Sequence, residues 1–250
     1  MSYLLNNIAV RLTMPLIIAN SSSMHPLSAS RSCARITYRS AFMDALPRFA
    51  ALHFLPDSYQ LVRRITLESQ RLFVLLNVVG LAMLAIAILA YQLFYNFLRE
   101  LGLAQGANPL AGASSLLLAV LSLLAILIML SLHELIHGIA FQLFGARPRY
   151  GFSLEKGVAF AAADRYYLTR DAYLIVGLAP LVVITLLTGA LMTVTSGETN
   201  QLVALIGAAN IGGSVGDLWF FSICRRYQPD LLVRDFGEGA ELYARSYSTL

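Results

Sequence analysis

The sequence predicts an all-α polytopic membrane bundle of about four transmembrane helices, with a short β-hairpin in one connecting loop. Three observations predict it. Of the 250 residues, 58% are apolar and only 13% are charged, whereas soluble domains have roughly a quarter of their residues charged. The mean hydropathy is +0.67. Four windows are long and apolar enough to supply the about 20 helical residues that a bilayer requires. Too few polar groups are present to cover a globule in water, and the same figures exclude disorder for most of the chain. Cys33 and Cys224 cannot build a disulfide framework or a Cys-rich zinc finger.

Taken in order, residues 1–54 read as an N-terminal extension. Residues 1–43 contain no Asp or Glu, carry Arg11, Arg31, Arg35 and Arg39, and include the serine-rich stretch Ser21–Ser40. This bias fits either a transit-type targeting peptide or a start codon set too far upstream, with Met43 as the alternative start. A membrane-embedded domain is expected over 55–235, opening with Leu55-Pro56-Asp57. Its spans are predicted at Leu72–Tyr95, Ser114–Phe144, Ala172–Val194 and Leu202–Cys224. Gly145 followed by Pro148 stops the second helix. Pro180 lies inside the third span, where a kink is tolerated if a neighbouring group satisfies the freed carbonyl. Residues 236–250 read as a cytoplasmic tail.

The loop between spans two and three has two readings. Arg149–Leu154 alternates polar and apolar residues, Glu155-Lys156-Gly157 can turn, and Val158–Ala163 is small and extended, which together suggest a hairpin. The other reading is an irregular loop resting on lipid.

Basic residues set the expected topology. Eight arginines precede the first span, and Arg99 alone lies between spans one and two. Five basic residues lie between spans two and three, none between three and four, and four after the last. The positive-inside rule then places a multi-pass protein in the cell membrane with both termini in the cytoplasm. Attraction of these arginines to anionic headgroups accounts for the net charge of +4. A nucleic-acid partner is not needed, because no basic cluster is interleaved with aromatics on a soluble domain. Both cysteines fall on the cytoplasmic side and are expected as reduced thiols.

The chemistry is concentrated near the end of span two, in His133-Glu134-Leu135-Ile136-His137-Gly138. On a helix His133 and His137 lie one turn apart on one face, so both imidazoles can reach one ion. Glu134 is offset by about 100° and can serve as a base without ligating. Ionisable groups inside a span cost about 2.5–3.5 kcal/mol each on insertion scales and persist only with partners. Within the four spans the other ionisable residue is Asp217. Counting from Arg225 at 1.5 Å per residue puts Asp217 about 12 Å inside the boundary, and Arg147 puts His137 about 15 Å inside. The four groups therefore share one layer. Two neutral imidazoles, two carboxylates and a divalent cation sum to zero charge, and His133, His137 and Asp217 match the three protein ligands of a catalytic zinc site. The competing reading of Asp217 is a buried protonated acid bonded to a backbone carbonyl.

Gly207, Gly212, Gly213 and Gly216, with Ala208, Ala209 and Ser214, suggest close helix approach around Asp217. Asn210 has the spacing to share a helix face with Asp217. It reads as a substrate-binding donor, a brace for the site, or a polar clasp between helices.

At these residues the chain resembles a known pattern. HELIHG on a membrane helix, with a later small-residue helix ending in Gly216-Asp217, resembles the site-2 protease group of intramembrane zinc metalloproteases. Over about Leu55 to Asp235 it is more closely similar to a family of bacterial and archaeal multi-pass proteins named putative zincin peptidases. The resemblance covers the Leu55-Pro56 lead-in, the HExxH span, Ala179-Pro180 and Asn210…Gly216-Asp217. It implies a Zn2+ cofactor held by His133, His137 and Asp217, Glu134 as catalytic base, and a membrane protein or peptide substrate. The site-2 form Asn-Pro…Leu-Asp-Gly is absent, since Ile211 follows Asn210 and Leu218 follows Asp217, so substrate choice does not carry over.

The leading expectation is a zinc metallopeptidase acting in or near the cytoplasmic half of the bilayer. The alternatives are a non-catalytic metal-binding membrane protein and a proton-coupled transporter using Glu134 and Asp217 as relays. A b-haem carrier is disfavoured, because two histidines on adjacent turns of one helix cannot clamp both faces of a haem.

Overall fold

A computed structural model describes residues 47–67, 69–153 and 158–246. The expectations for residues 1–43, the turn Glu155-Lys156-Gly157 and the last four residues lie outside the described residues.

The elements run β1 (Ala51–Leu52), β2 (Tyr59–Thr66), α1 (Gln70–Glu100), α2 (Ser115–Leu143), β3 (Arg149–Ser153) and β4 (Val158–Ala162). They continue as β5 (Tyr167–Thr169), α3 (Arg170–Met192), α4 (Gly197–Gly213), α5 (Val215–Cys224), β6 (Leu232–Asp235) and β7 (Gly239–Arg245). Helices α1, α2 and α3, at 31, 29 and 23 residues, are each long and apolar enough to cross a membrane. The bent pair α4–α5 makes a fourth if counted as one span. Their apolar side chains point outward, Leu116 at 77% and Leu186 at 68% exposure. Such a surface suits lipid far better than water.

The expectation of an all-α fold is corrected by a five-stranded antiparallel sheet in the order β1-β5-β6-β7-β2. Its longest pairing runs from Tyr59↔Arg245 to Thr66↔Gly239, with an irregularity between Leu61 and Arg63. The sheet adjoins the start of α1, the start of α3 and the end of α5, so it lies at one end of the helical layer. Leu168, Val233, Ala240 and Leu242 are fully buried in a core shared with Phe141, Ala172 and Val176 of the helices. Strand β7 lies in the segment expected as a tail, and β1 in the expected extension, where Ala51 pairs with Leu168. The segment before β1 is tied down as well. Arg48 Nε donates to Asp171 Oδ2 at 2.6 Å, and the Thr169 hydroxyl donates to the Arg48 carbonyl at 2.9 Å. Strands of two to eight residues paired across nearly the whole chain leave no local periodic signal.

The fourth span is also corrected. It begins at Gly197 and is broken at Ser214, where α4 and α5 meet at a bend of about 40°. The Ser214 hydroxyl donates to the Asn210 carbonyl one turn back at 2.8 Å. Such back-bonding bends helices, and neighbouring glycines lower the resistance to bending. The small residues before the break do bring helices together, since a methyl placed on Gly80 of α1 would lie 2.8 Å from the Gly212 carbonyl oxygen.

The loop between α2 and α3 contains the hairpin and not an irregular segment. Strands β3 and β4 pair from Arg149↔Ala162 to Ser153↔Val158. The hairpin packs on α2 directly beside the HELIHG segment. A methyl added to Gly138 would overlap the Tyr150 hydroxyl, so the glycine after His137 makes room for β3.

Candidate metal centre

The last third of α2 carries His133, Glu134 and His137, and the first turn of α5 carries Asp217. The bend at Ser214 lies three residues before Asp217. His133 Nε2 lies 3.1 Å from Asp217 Oδ2, and His137 Nε2 lies 3.5 Å from Asp217 Oδ1. Ligand atoms of the three residues all lie within 4.8 Å of one another. Both imidazoles are buried, while Asp217 keeps 26% of its side chain exposed.

The outer nitrogens are held by acceptors. The Val176 carbonyl lies 2.9 Å from His137 Nδ1, and a carbonyl can only accept, so Nδ1 carries the proton. His133 Nδ1 lies 3.0 Å from Asn210 Oδ1. The orientation of that amide follows from its other end, where Nδ2 donates to the Pro180 carbonyl at 3.4 Å. His133 is therefore also the Nδ1–H tautomer, and both rings turn their unprotonated Nε2 toward Asp217. Two nitrogen lone pairs and a carboxylate converge with no hydrogen between them when the imidazoles are neutral. A cation at that point resolves the arrangement, and two imidazoles with one carboxylate suit zinc. Second bonds from ligating histidines to carbonyl or carboxamide oxygens are the usual support of such sites. Asn210 thus sits behind the ligand position as a brace to His133, fully buried.

Glu134 does not join the three converging groups. Its carboxylate lies by the Ala161 backbone of β4. It lines a cavity of about 180 Å³ together with His133, His137, Asp217, Phe160 and Phe220. A methyl placed on Gly177, Gly213 or Gly216, all on the cavity wall, would meet no described atom within 4 Å. Gly213 and Gly216 therefore provide open space, and the close helix approach expected of them falls to Gly207 and Gly212.

Two further polar residues of the cavity escaped the sequence reading. The Tyr173 hydroxyl of α3 donates to Asp235 Oδ2 at 3.0 Å, and the Gly237 N–H donates to Asp235 Oδ1 at 2.8 Å. Asp235 ends β6, and sheet pairing alone carries it into the cavity of His137 and Asp217, so no spacing in the sequence announces it.

A family model described as "Putative zincin peptidase" matches residues 126–232. The match supports a zincin-like peptidase family. It spans the HELIHG segment, the hairpin, Pro180, Asn210 and Asp217, which are the parts that build the centre. No curated protein and no solved structure matches the chain.

Proposed function

We propose that this chain is a zinc-dependent membrane metallopeptidase that hydrolyses peptide bonds in or near the cytoplasmic half of the bilayer. The observation that carries this reading is the convergence of two Nδ1-anchored imidazoles on one carboxylate, with Glu134 beside them but outside the ligand set. His133, His137 and Asp217 would hold the ion. Zinc, when bound, polarises a carbonyl oxygen and brings the pKa of water toward about 7. Glu134 takes the proton of the attacking water on its carboxylate and returns it to the leaving nitrogen. The likeness of HELIHG and Gly216-Asp217 to site-2 proteases supports a membrane-embedded form of the reaction. The arginine asymmetry supports a cytoplasmic location for the sheet and the hairpin.

The hairpin supports a way to hold the substrate. A helical substrate hides its carbonyls and must unwind before attack. Strand β4 lines the cavity with Ala159, Phe160 and Ala161, and among the described residues the edge it does not share with β3 is open to pairing. An extended segment laid on that edge by strand addition would present its carbonyls to the site.

Glu134→Gln tests the reading. Hydrolysis of a membrane-spanning model peptide in proteoliposomes is expected to fall by about 10²–10⁴-fold, with zinc content unchanged. Hydrolysis that continues at the wild-type rate rules the mechanism out. Gly177→Leu probes the open wall from another side. It fills space needed by substrate and is expected to lower hydrolysis by about tenfold or more while leaving the zinc content at the wild-type level.

A further inference from the structure

Helix α3 contributes no metal ligand, yet both histidine anchors lead back to it. In a regular helix the backbone N–H of residue 180 would bond the carbonyl of residue 176, four positions earlier. Residue 180 is proline, which has no N–H and whose ring crowds that carbonyl away from the helix axis. The Val176 carbonyl is thereby left without its helical partner, in a buried, apolar layer where an unpaired carbonyl is costly. The group that takes it is His137 Nδ1, at 2.9 Å. The carbonyl of Pro180 itself receives the Asn210 amide, whose oxygen anchors His133.

We infer that Pro180 is a positioning residue of the metal centre. By removing one amide from α3 it reserves the Val176 carbonyl for His137, and so holds that imidazole with Nε2 facing Asp217. This inference rests on the zinc reading for its purpose, but its geometry is a property of the metal-free chain. Proline at this position is a device for exporting one acceptor from a helix to a neighbouring side chain. The same hydrogen bond that stabilises an ordinary helix would here compete with the ligand for its anchor.

The competition makes the signs of the test opposite. Pro180→Ala and Pro180→Leu both restore the amide and differ in bulk. In full-length protein in detergent micelles, each is expected to keep or raise the thermal midpoint of the metal-free form, because an internal helical bond is regained. Zinc affinity, measured by competition with a chromophoric chelator, is expected to weaken by about 10–100-fold, the usual cost of losing an outer hydrogen bond to a ligating histidine. In the metal-free wild type, at a pH where the imidazoles are neutral, nitrogen-15 histidine spectra should show His137 as the Nδ1–H tautomer, and in both variants a mixture with Nε2–H. Unchanged zinc affinity and tautomer in the variants would overturn the inference. So would affinity that falls only in step with a falling midpoint, which marks a purely structural proline. If the wild type binds no zinc, the metallopeptidase reading fails by itself, and the tautomer spectra still decide the role of Pro180.

Discussion

Asp217→Ala protein is expected to emerge from purification with essentially no zinc, beside a wild type carrying close to one equivalent per chain. His133 and His137 sit on adjacent turns of one helix and would reach an ion from one side. The carboxylate of Asp217 on α5 closes the site from the other, 3.1 and 3.5 Å from the two Nε2 atoms. Catalytic zinc sites use three protein ligands, and the alanine variant keeps two. The loss should exceed the about 10–100-fold that follows removal of a mere supporting hydrogen bond. The substitution also removes the charge that would balance an ion in a low-dielectric layer. Elemental analysis of the two proteins checks this, with His53→Ala as the control, since His53 lies against Tyr166. A variant that retains its full equivalent of zinc would show that Asp217 is not a ligand and would revive its reading as a buried acid.

The second large effect concerns stability and pH. Asp235 lies outside the helices, at the end of β6, and burial pushes its carboxyl up to about 6 against the bonds from Gly237 and Tyr173, which pull it down. The folded chain thus binds this proton more tightly than the unfolded chain, whose carboxyl titrates near 3.8. The stabilising contribution of the protonated group is complete below about pH 4 and disappears as the pH rises through about 6. At pH 7.5, above both values, the buried charge costs about 3 kcal/mol. In chelator-treated protein, Asp235→Asn is expected to raise the thermal midpoint by about 6–12 °C at pH 7.5. It should change the midpoint little at about pH 3.5, below both values. Chelation matters because a cation in the same cavity would offset the carboxylate. A variant whose midpoint is unchanged or lower at pH 7.5 would contradict the argument.

What could be read in advance divides along a physical line. The HELIHG pair is legible because four residues make one helical turn, so a local spacing fixes which side chains share a face. Asp217 is legible because charge in an apolar span is costly and needs a partner, which narrows the search to one residue. Asn210 follows from its spacing to Asp217, but its choice among brace, clasp and substrate donor does not. That choice depends on His133 and Pro180, which come from two other helices. The sheet was hidden because β2 pairs with β7 across almost the whole described chain, and β1, β5 and β6 are only two to four residues long. The break at Ser214 was hidden inside a continuous apolar window whose composition is the same for a straight or a bent helix.

From the sequence alone come the apolar helices, the arginine asymmetry and the identity of the four ionisable residues placed in the spans. Each is a property of residue type or of short spacing, settled by solvation and by the helical repeat. Only the tertiary structure decided that Nε2 and not Nδ1 faces Asp217 on both histidines, that Ala161 of β4 joins Glu134 at the cavity, and that Tyr173 and Asp235 wall it. Those outcomes depend on backbone carbonyls and amides brought together from separate elements. Every residue but proline offers the same amide and every residue the same carbonyl, so their partners become specific only when the chain has folded.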